Sequence, residues 1–258
     1  MKKSLGLLLM LFCFFCVSTS AQIAAYTEGE SLAYEAKLSK AIFRGISVAD
    51  LNFTVQRAPN SRNYLIKSEA RSKGTLIKLF NFKFYQSIQS TVDGENFFIR
   101  RTVKRDEQDD RVRDSEALFD YKEKKVIYVE TDPKDPARAP RQIASPIEAD
   151  TQDLITGIYT LRRLPLAVGK TFELKVSDSG LVYKIPVRVT AREEQKTILG
   201  KVWCFRIEPQ VFGANRVIDN KGSMILWITD DVRRMPVRAQ INVDIGRIEV
   251  KLKKIEIQ

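Results

Sequence analysis

The 258-residue chain contains no histidine. That excludes Ser-His-Asp and Cys-His nucleophile systems in their usual form, and histidine metal sites with them. Cysteine is nearly as scarce. Cys13 and Cys16 lie in the N-terminal apolar run, so a processed chain keeps Cys204 alone and cannot form an internal disulfide. Flanked by Trp203 and Phe205, Cys204 reads as a buried structural thiol. No phosphate loop, dinucleotide fingerprint or paired-cysteine motif occurs, and the expected cofactor set is empty. A basic recognition helix and an aromatic RNA-binding motif are also missing, which argues against nucleic acid. After residue 17 no second long apolar run follows, so no transmembrane segment is expected once the leader is removed.

What is present begins with an export signal. Lys2 and Lys3 precede an apolar core from Leu5 to Val17, and Thr19-Ser20-Ala21 supplies small residues for cleavage. Residues 1–21 are therefore expected to leave, and the protein to be periplasmic. Phe15 ahead of Cys16 argues against lipidation, which needs a small residue there. Processing removes two of the charges behind the formal +11. The remaining basic residues are spread along the chain and interrupted by acids, as on a solvated mixed-charge surface.

The rest of the chain reads mainly as strand and turn. Leu32, Tyr34, Ala36 and Leu38 alternate with polar or small residues, as in a half-buried strand. Short turns at Gly45, Pro59-Asn60-Ser61 and Asp93-Gly94 suggest a meander. Thr75 to Phe80 fits either a helical turn or a strand start. If extended, Phe80, Phe82 and Phe84 share one face, as a core stripe or a ligand wall. Phe97 to Val103 and Asp114 to Phe119 read as strands flanking an exposed charged tip over 104–111, which lacks the ligand order of a calcium loop. A Pro-rich stretch from Asp132 to Pro146 reads as a loop between possible halves 22–131 and 147–258 of one β-rich domain, 22–258. Beyond it, Met224 to Thr229 is apolar on both faces and is expected to be a central strand.

One run breaks the pattern. Leu154, Ile155, Ile158, Tyr159 and Leu161 form an apolar stripe at helical spacing. Asp150 or Thr151 is placed to cap it, with Asp153 in the first turn. Arg162 and Arg163 lie in the last turn, and Pro165 stops it. The expected fold is mainly β: a large curved antiparallel sheet or partial barrel with one short central helix packed on it.

Several blocks recur in a known family. They are Gly29 to Tyr34; Asp153 to Pro165 with Tyr159, Leu161 and Arg162; Gly169; the series Glu194, Thr197, Gly200, Cys204 and Pro209; and Trp227-Ile-Thr-Asp-Asp231 followed by Arg234 to Val237. Together they resemble the bacterial domain of unknown function 3108 across roughly the whole processed chain, and the last block is the most specific. The resemblance implies an exported, mostly β envelope protein of Gram-negative bacteria. It carries no established activity, and so no catalytic residue. The charged stretch at 104–113 departs from it.

Carboxylates remain for chemistry. Asp230 and Asp231, with Glu193 and Glu194, would serve a glycoside hydrolase, but adjacent aspartates more often cap a turn, and Pro236 continues that turn. Arg162 is expected to pair with Asp230 or Asp231 and pin the helix, or else to bind an anion. No metal site is expected. The leading functional expectation is a non-enzymatic protein binding a lipid or lipid-linked glycan, with Phe80, Phe82, Phe84, Tyr159, Trp203, Trp227 and Arg162 as ligand-facing residues. The alternatives are a scaffold binding an envelope protein, and the carboxylate hydrolase.

Overall fold

The computed structural model describes residues 26–40 and 43–257. The expected leader, 1–21, lies outside them. The first half of the described chain builds strands β1 (Glu30–Lys40), β2 (Phe43–Arg57), β3 (Tyr64–Ser72), β4 (Phe84–Val92), β5 (Ile99–Gln108), β6 (Arg111–Asp120), β7 (Lys125–Thr131) and β8 (Arg141–Pro146), with helix α1 (Gly74–Phe80) between β3 and β4. The second half builds β9 (Gln152–Asp153), helix α2 (Leu154–Arg163), β10 (Thr171–Asp178), β11 (Leu181–Thr197), β12 (Gly200–Pro209), β13 (Ser223–Thr229), β14 (Pro236–Val243) and β15 (Gly246–Ile257).

All fifteen strands belong to one sheet, ordered β8 back to β1, then β15 back to β9. Each half is a meander, and β1 joins them by pairing with β2 on one side and β15 on the other. Every neighbouring pair is antiparallel except the short β9–β10 pair. The two edge strands, β8 and β9, are consecutive in sequence. The link between them, residues 147–151, can reach only about 20 Å when extended. A sheet this wide must therefore curl to bring its edges together. At the seam the Ser145 hydroxyl donates to the Gly180 carbonyl at 2.6 Å. Gly180 has a φ of +83°, and a Cβ there would lie 2.8 Å from the Cβ atoms of Tyr128 and Ile143. Only glycine permits both that turn and that approach.

The curl encloses α2. Strand alternation puts Leu32, Tyr34, Ala36 and Leu38 on the inner face of β1, as the period predicts. On one side of α2, Ile155 and Tyr159 join Val55, Ile66, Val92, Ile99 and Val126 in a first core cluster. On the other, Leu161 joins Val176, Val187, Val189, Ile207 and Ile228. Met224, Leu226 and Ile228 of β13 face this second cluster, while Ile225 and Trp227 pack with Leu32, Cys204 and Met235 in a third. That strand is covered on both faces, as its composition suggests.

Several local expectations are corrected. The charged stretch expected to be a loose tip is a paired ladder down to Gln108 opposite Arg111, with only Asp109 and Asp110 turning. Cross-strand charges hold it: Arg105 with Asp114 at 3.1 Å and Arg111 with Asp106 at 2.6 Å. The Pro-rich loop ends in a real strand, β8, paired with β7. Pro140 stands just before it and Pro146 is its last residue, positions where an edge strand tolerates proline. The segment before Phe82 is a second helix, α1, ended by Asn81 in the left-handed conformation (φ +48°). The α2 N-cap is Asp153, not Asp150 or Thr151. Its carboxylate accepts the Thr156 amide, while the Thr156 hydroxyl accepts the Asp153 amide.

Candidate functional site, a cavity beside the enclosed helix

Both ends of α2 are tied to the sheet by buried polar groups. At the N-terminus, Asp153 accepts hydrogen bonds from the hydroxyls of Ser90 (2.5 Å) and Thr102 (2.6 Å) as well as from Thr156. Four donors and the positive end of the helix dipole stabilise a carboxylate that is only 5% exposed. At the C-terminus, Arg162 is bound bidentately by Glu30 of β1, at 2.6 and 2.8 Å, and donates to the Arg233 carbonyl at 3.1 Å. Burial alone would lower the Arg162 pKa, but the Glu30 carboxylate outweighs it and raises it. The pairing expected with Asp230 or Asp231 is thus replaced by one with Glu30, 132 residues away in sequence. A clue was present: Glu30 shares the parity of Leu32, Tyr34 and Leu38, and a carboxylate on the buried face of a strand requires a partner.

Asp230 and Asp231 are occupied at the turn. Asp231 accepts from the Thr229 hydroxyl (2.7 Å) and from the amides of Arg233 and Arg234. Burial would raise its pKa, but the bonds from Thr229 and Arg233 outweigh that and hold it low. Asp230 pairs with Arg192 at 2.6 Å and Arg234 at 3.3 Å. The Pro236 carbonyl accepts the Tyr34 hydroxyl at 2.8 Å. Glu193 accepts the Trp227 indole N–H, and Glu194 pairs with Lys201.

A cavity of about 390 Å³ lies between α2 and the β10–β13 wall. Leu154, Ile158 and Leu161 form the helix side, and Leu174, Val176, Ile185, Met224 and Leu226 the sheet side. Val211, Val217 and Ile218, from the loop after β12, line another side. Three polar residues, Gln86, Lys104 and Asp178, complete the lining. A smaller space of about 40 Å³ beside Asp153 shares Lys104, Leu154 and Asp178 with it. Such a lining holds an apolar body and offers a few polar groups to one end of it. Among the described residues no group of three or more carboxylates and thiols gathers to hold a metal ion.

None of the seven residues expected to face a ligand lines this cavity. Phe80 and Phe82 are exposed at the end of α1, and Phe84 packs with Leu76 against Ala36 and Leu38. Tyr159 is buried in the first core cluster, and burial pushes its phenol well up. Arg162 is consumed by Glu30. Trp203 stands half exposed under the Arg192 guanidinium, while Trp227 is buried beneath Arg238. The actual lining is aliphatic, and aliphatic residues in strands give no signal that separates a cavity wall from a filled core.

A curled antiparallel sheet around a helix defines a β-barrel-like protein. A solved structure of this class is similar: a β-barrel-like protein of domain of unknown function DUF1849 from Brucella abortus. It shows 11% identity and a TM-score of 0.60, over 90% of this chain and 99% of that one. At that identity the likeness concerns fold alone. A hypothetical protein from Chlamydia trachomatis, at 8% identity over 92% of this chain and 91% of that one, has a TM-score of 0.37, too low to carry an argument. No curated protein matches the chain. The family is shown by its model, which matches residues 33–253: this chain belongs to the family described as Protein of unknown function (DUF3108).

Proposed function

We propose that the protein binds an apolar or amphipathic molecule, such as a lipid, in the cavity beside α2, without transforming it, and that it does so in the periplasm. The cavity carries this reading. Its volume falls within the range of about 300–1,000 Å³ usual for small-molecule sites, and its walls are overwhelmingly aliphatic. Lys104 and Gln86 are placed to meet a polar head group. The export signal read in residues 1–21 supports the compartment.

The hydrolase reading draws no support from the carboxylates it invoked. Asp230, Asp231, Glu193 and Glu194 are each engaged by a neighbouring donor or cation, and none lines the cavity. A scaffold with a full core would have no use for such a space beside its central helix.

The test joins native mass spectrometry of the protein as purified to titration with a fluorescent fatty-acid probe. A co-purifying apolar species, and probe binding lost in Ile158→Trp while the fold is kept, is the expected result. An unliganded protein that ignores the probe would overturn the reading.

A further inference from the structure

We infer that α1 and the residues just after it form a docking surface for an anionic lipid bilayer. Residues 77–83, Ile77-Lys78-Leu79-Phe80-Asn81-Phe82-Lys83, are all exposed, and no residue of α1 is buried. Ile77, Leu79, Phe80 and Phe82 are 37–48% exposed. Four large apolar side chains in seven exposed positions are far from the scattered single hydrophobes of an ordinary soluble surface. The segment is firmly held nonetheless. Leu76 and Phe84 pack against Ala36, Leu38 and Val48, the Lys73 amide donates to the Val48 carbonyl, and the Asn81 amide closes the helix on Ile77. A rigid base presents a projecting apolar ridge.

Charge decides what covers that ridge. Between Glu69 and Asp93 there is no acidic residue, while Arg71, Lys73, Lys78 and Lys83 are basic. Lys73 is spent on Glu35 and Asp50, and Arg71 lies over Tyr85. Lys78 and Lys83 alternate with the exposed apolar residues. The nearest turn carries Asp109, whose carboxylate accepts the Lys83 amide. Lysines are depleted from the cores of protein–protein interfaces, whereas lysine alternating with Leu and Phe suits the head-group boundary of an anionic leaflet. There the rings enter the acyl boundary and the ammonium groups stay among the phosphates.

The position of the ridge gives it a use. Gln86, which lines the cavity, is two residues along β4 from Phe84, about 7 Å at strand spacing. Docking through α1 would thus bring that end of the cavity to the membrane, so that an amphipathic ligand could exchange with the leaflet. This consequence rests on the cavity reading above; the docking itself does not.

The test is co-sedimentation of the protein, its mass first measured to establish its N-terminus, with vesicles of phosphatidylglycerol and phosphatidylethanolamine or of phosphatidylcholine alone. The wild type is expected to pellet with the anionic vesicles at least tenfold more than with the neutral ones. Leu79→Ser with Phe82→Ser, and separately Lys78→Glu with Lys83→Glu, should each lower that partition at least tenfold without changing Tm. A wild type left in the supernatant, or variants that pellet like it, overturns the proposal. So does a concentration-dependent dimer that the serine pair dissolves, since the ridge would then belong to a second copy. Probe binding measured on the same samples separates the two readings: its loss with docking intact defeats the cavity ligand alone, and its retention without docking defeats the bilayer alone.

Discussion

Arg162 and Glu30 show how one buried pair sets the position of a helix. Each is about 2% exposed, and among the described residues each is the other's only counter-charge in direct contact. Removing one partner strands the other in a low-dielectric interior, so Arg162→Ala should cost about 3–5 kcal/mol in urea unfolding. Replacing both, Arg162→Met with Glu30→Leu, should recover most of that, because well-packed apolar groups need no counter-charge. A double mutant as unstable as the single would show that shape, not charge, makes the site. Cys204 is the second test at this scale. Burial chiefly, with the nearby Asp231, Glu193 and Asp230 carboxylates adding, pushes its thiol up to about 12. The native protein should resist iodoacetamide at pH 8 and react once unfolded, since the thiolate is the nucleophile.

The helix α2 and the seam of the sheet behave as units. Asp153 caps α2 and also receives Ser90 and Thr102 from the opposite wall. Asp153→Ala should therefore lose more than an ordinary cap, about 2–4 kcal/mol, because two buried hydroxyls lose their acceptor as well. Thermal denaturation set against an exposed capping variant would measure the excess. At the seam, Gly180→Ala meets a positive φ and the Tyr128 and Ile143 side chains together. A loss of about 1–3 kcal/mol is expected from the strain, together with faster hydrogen exchange in β8, the edge strand that the turn at Gly180 holds.

The molecule as a whole is laced together on its outer face by Glu35. Its carboxylate accepts from Ser47 of β2 and pairs with Lys73, at the start of α1, and with Lys253 of β15. The Ser47 hydrogen bond first, then Lys253 and Lys73, hold its pKa near 2 instead of its ordinary 4.5. The folded state therefore prefers the ionised form. The stability from this group is fully present above the unfolded value near 4.5 and is lost as pH falls toward 2. Calorimetric Tm should drop across that window, and Glu35→Gln should flatten part of the drop; an unchanged slope would place the acid sensitivity elsewhere.

Sequence alone determined whatever depends on the period and identity of neighbouring residues. The inner face of β1, the helical stripe of α2, the two-faced β13 and the buried Cys204 were all legible, because burial imprints its period on a local stretch. The blocks around Asp153 and Trp227 likewise lie within the stretch that marks the chain's family. The three-dimensional arrangement decided what lies across from each face. Periodicity shows that Arg162 and Glu30 point inward, not that they meet. It cannot separate an aliphatic wall that fills its space, as at Val187, from one that leaves a cavity, as at Leu226. Phe80 and Phe82 went the other way. Their spacing suited a buried stripe, but α1 takes in Phe80 and ends at Asn81, so the two do not share the face of one strand, and both stay more than a third exposed.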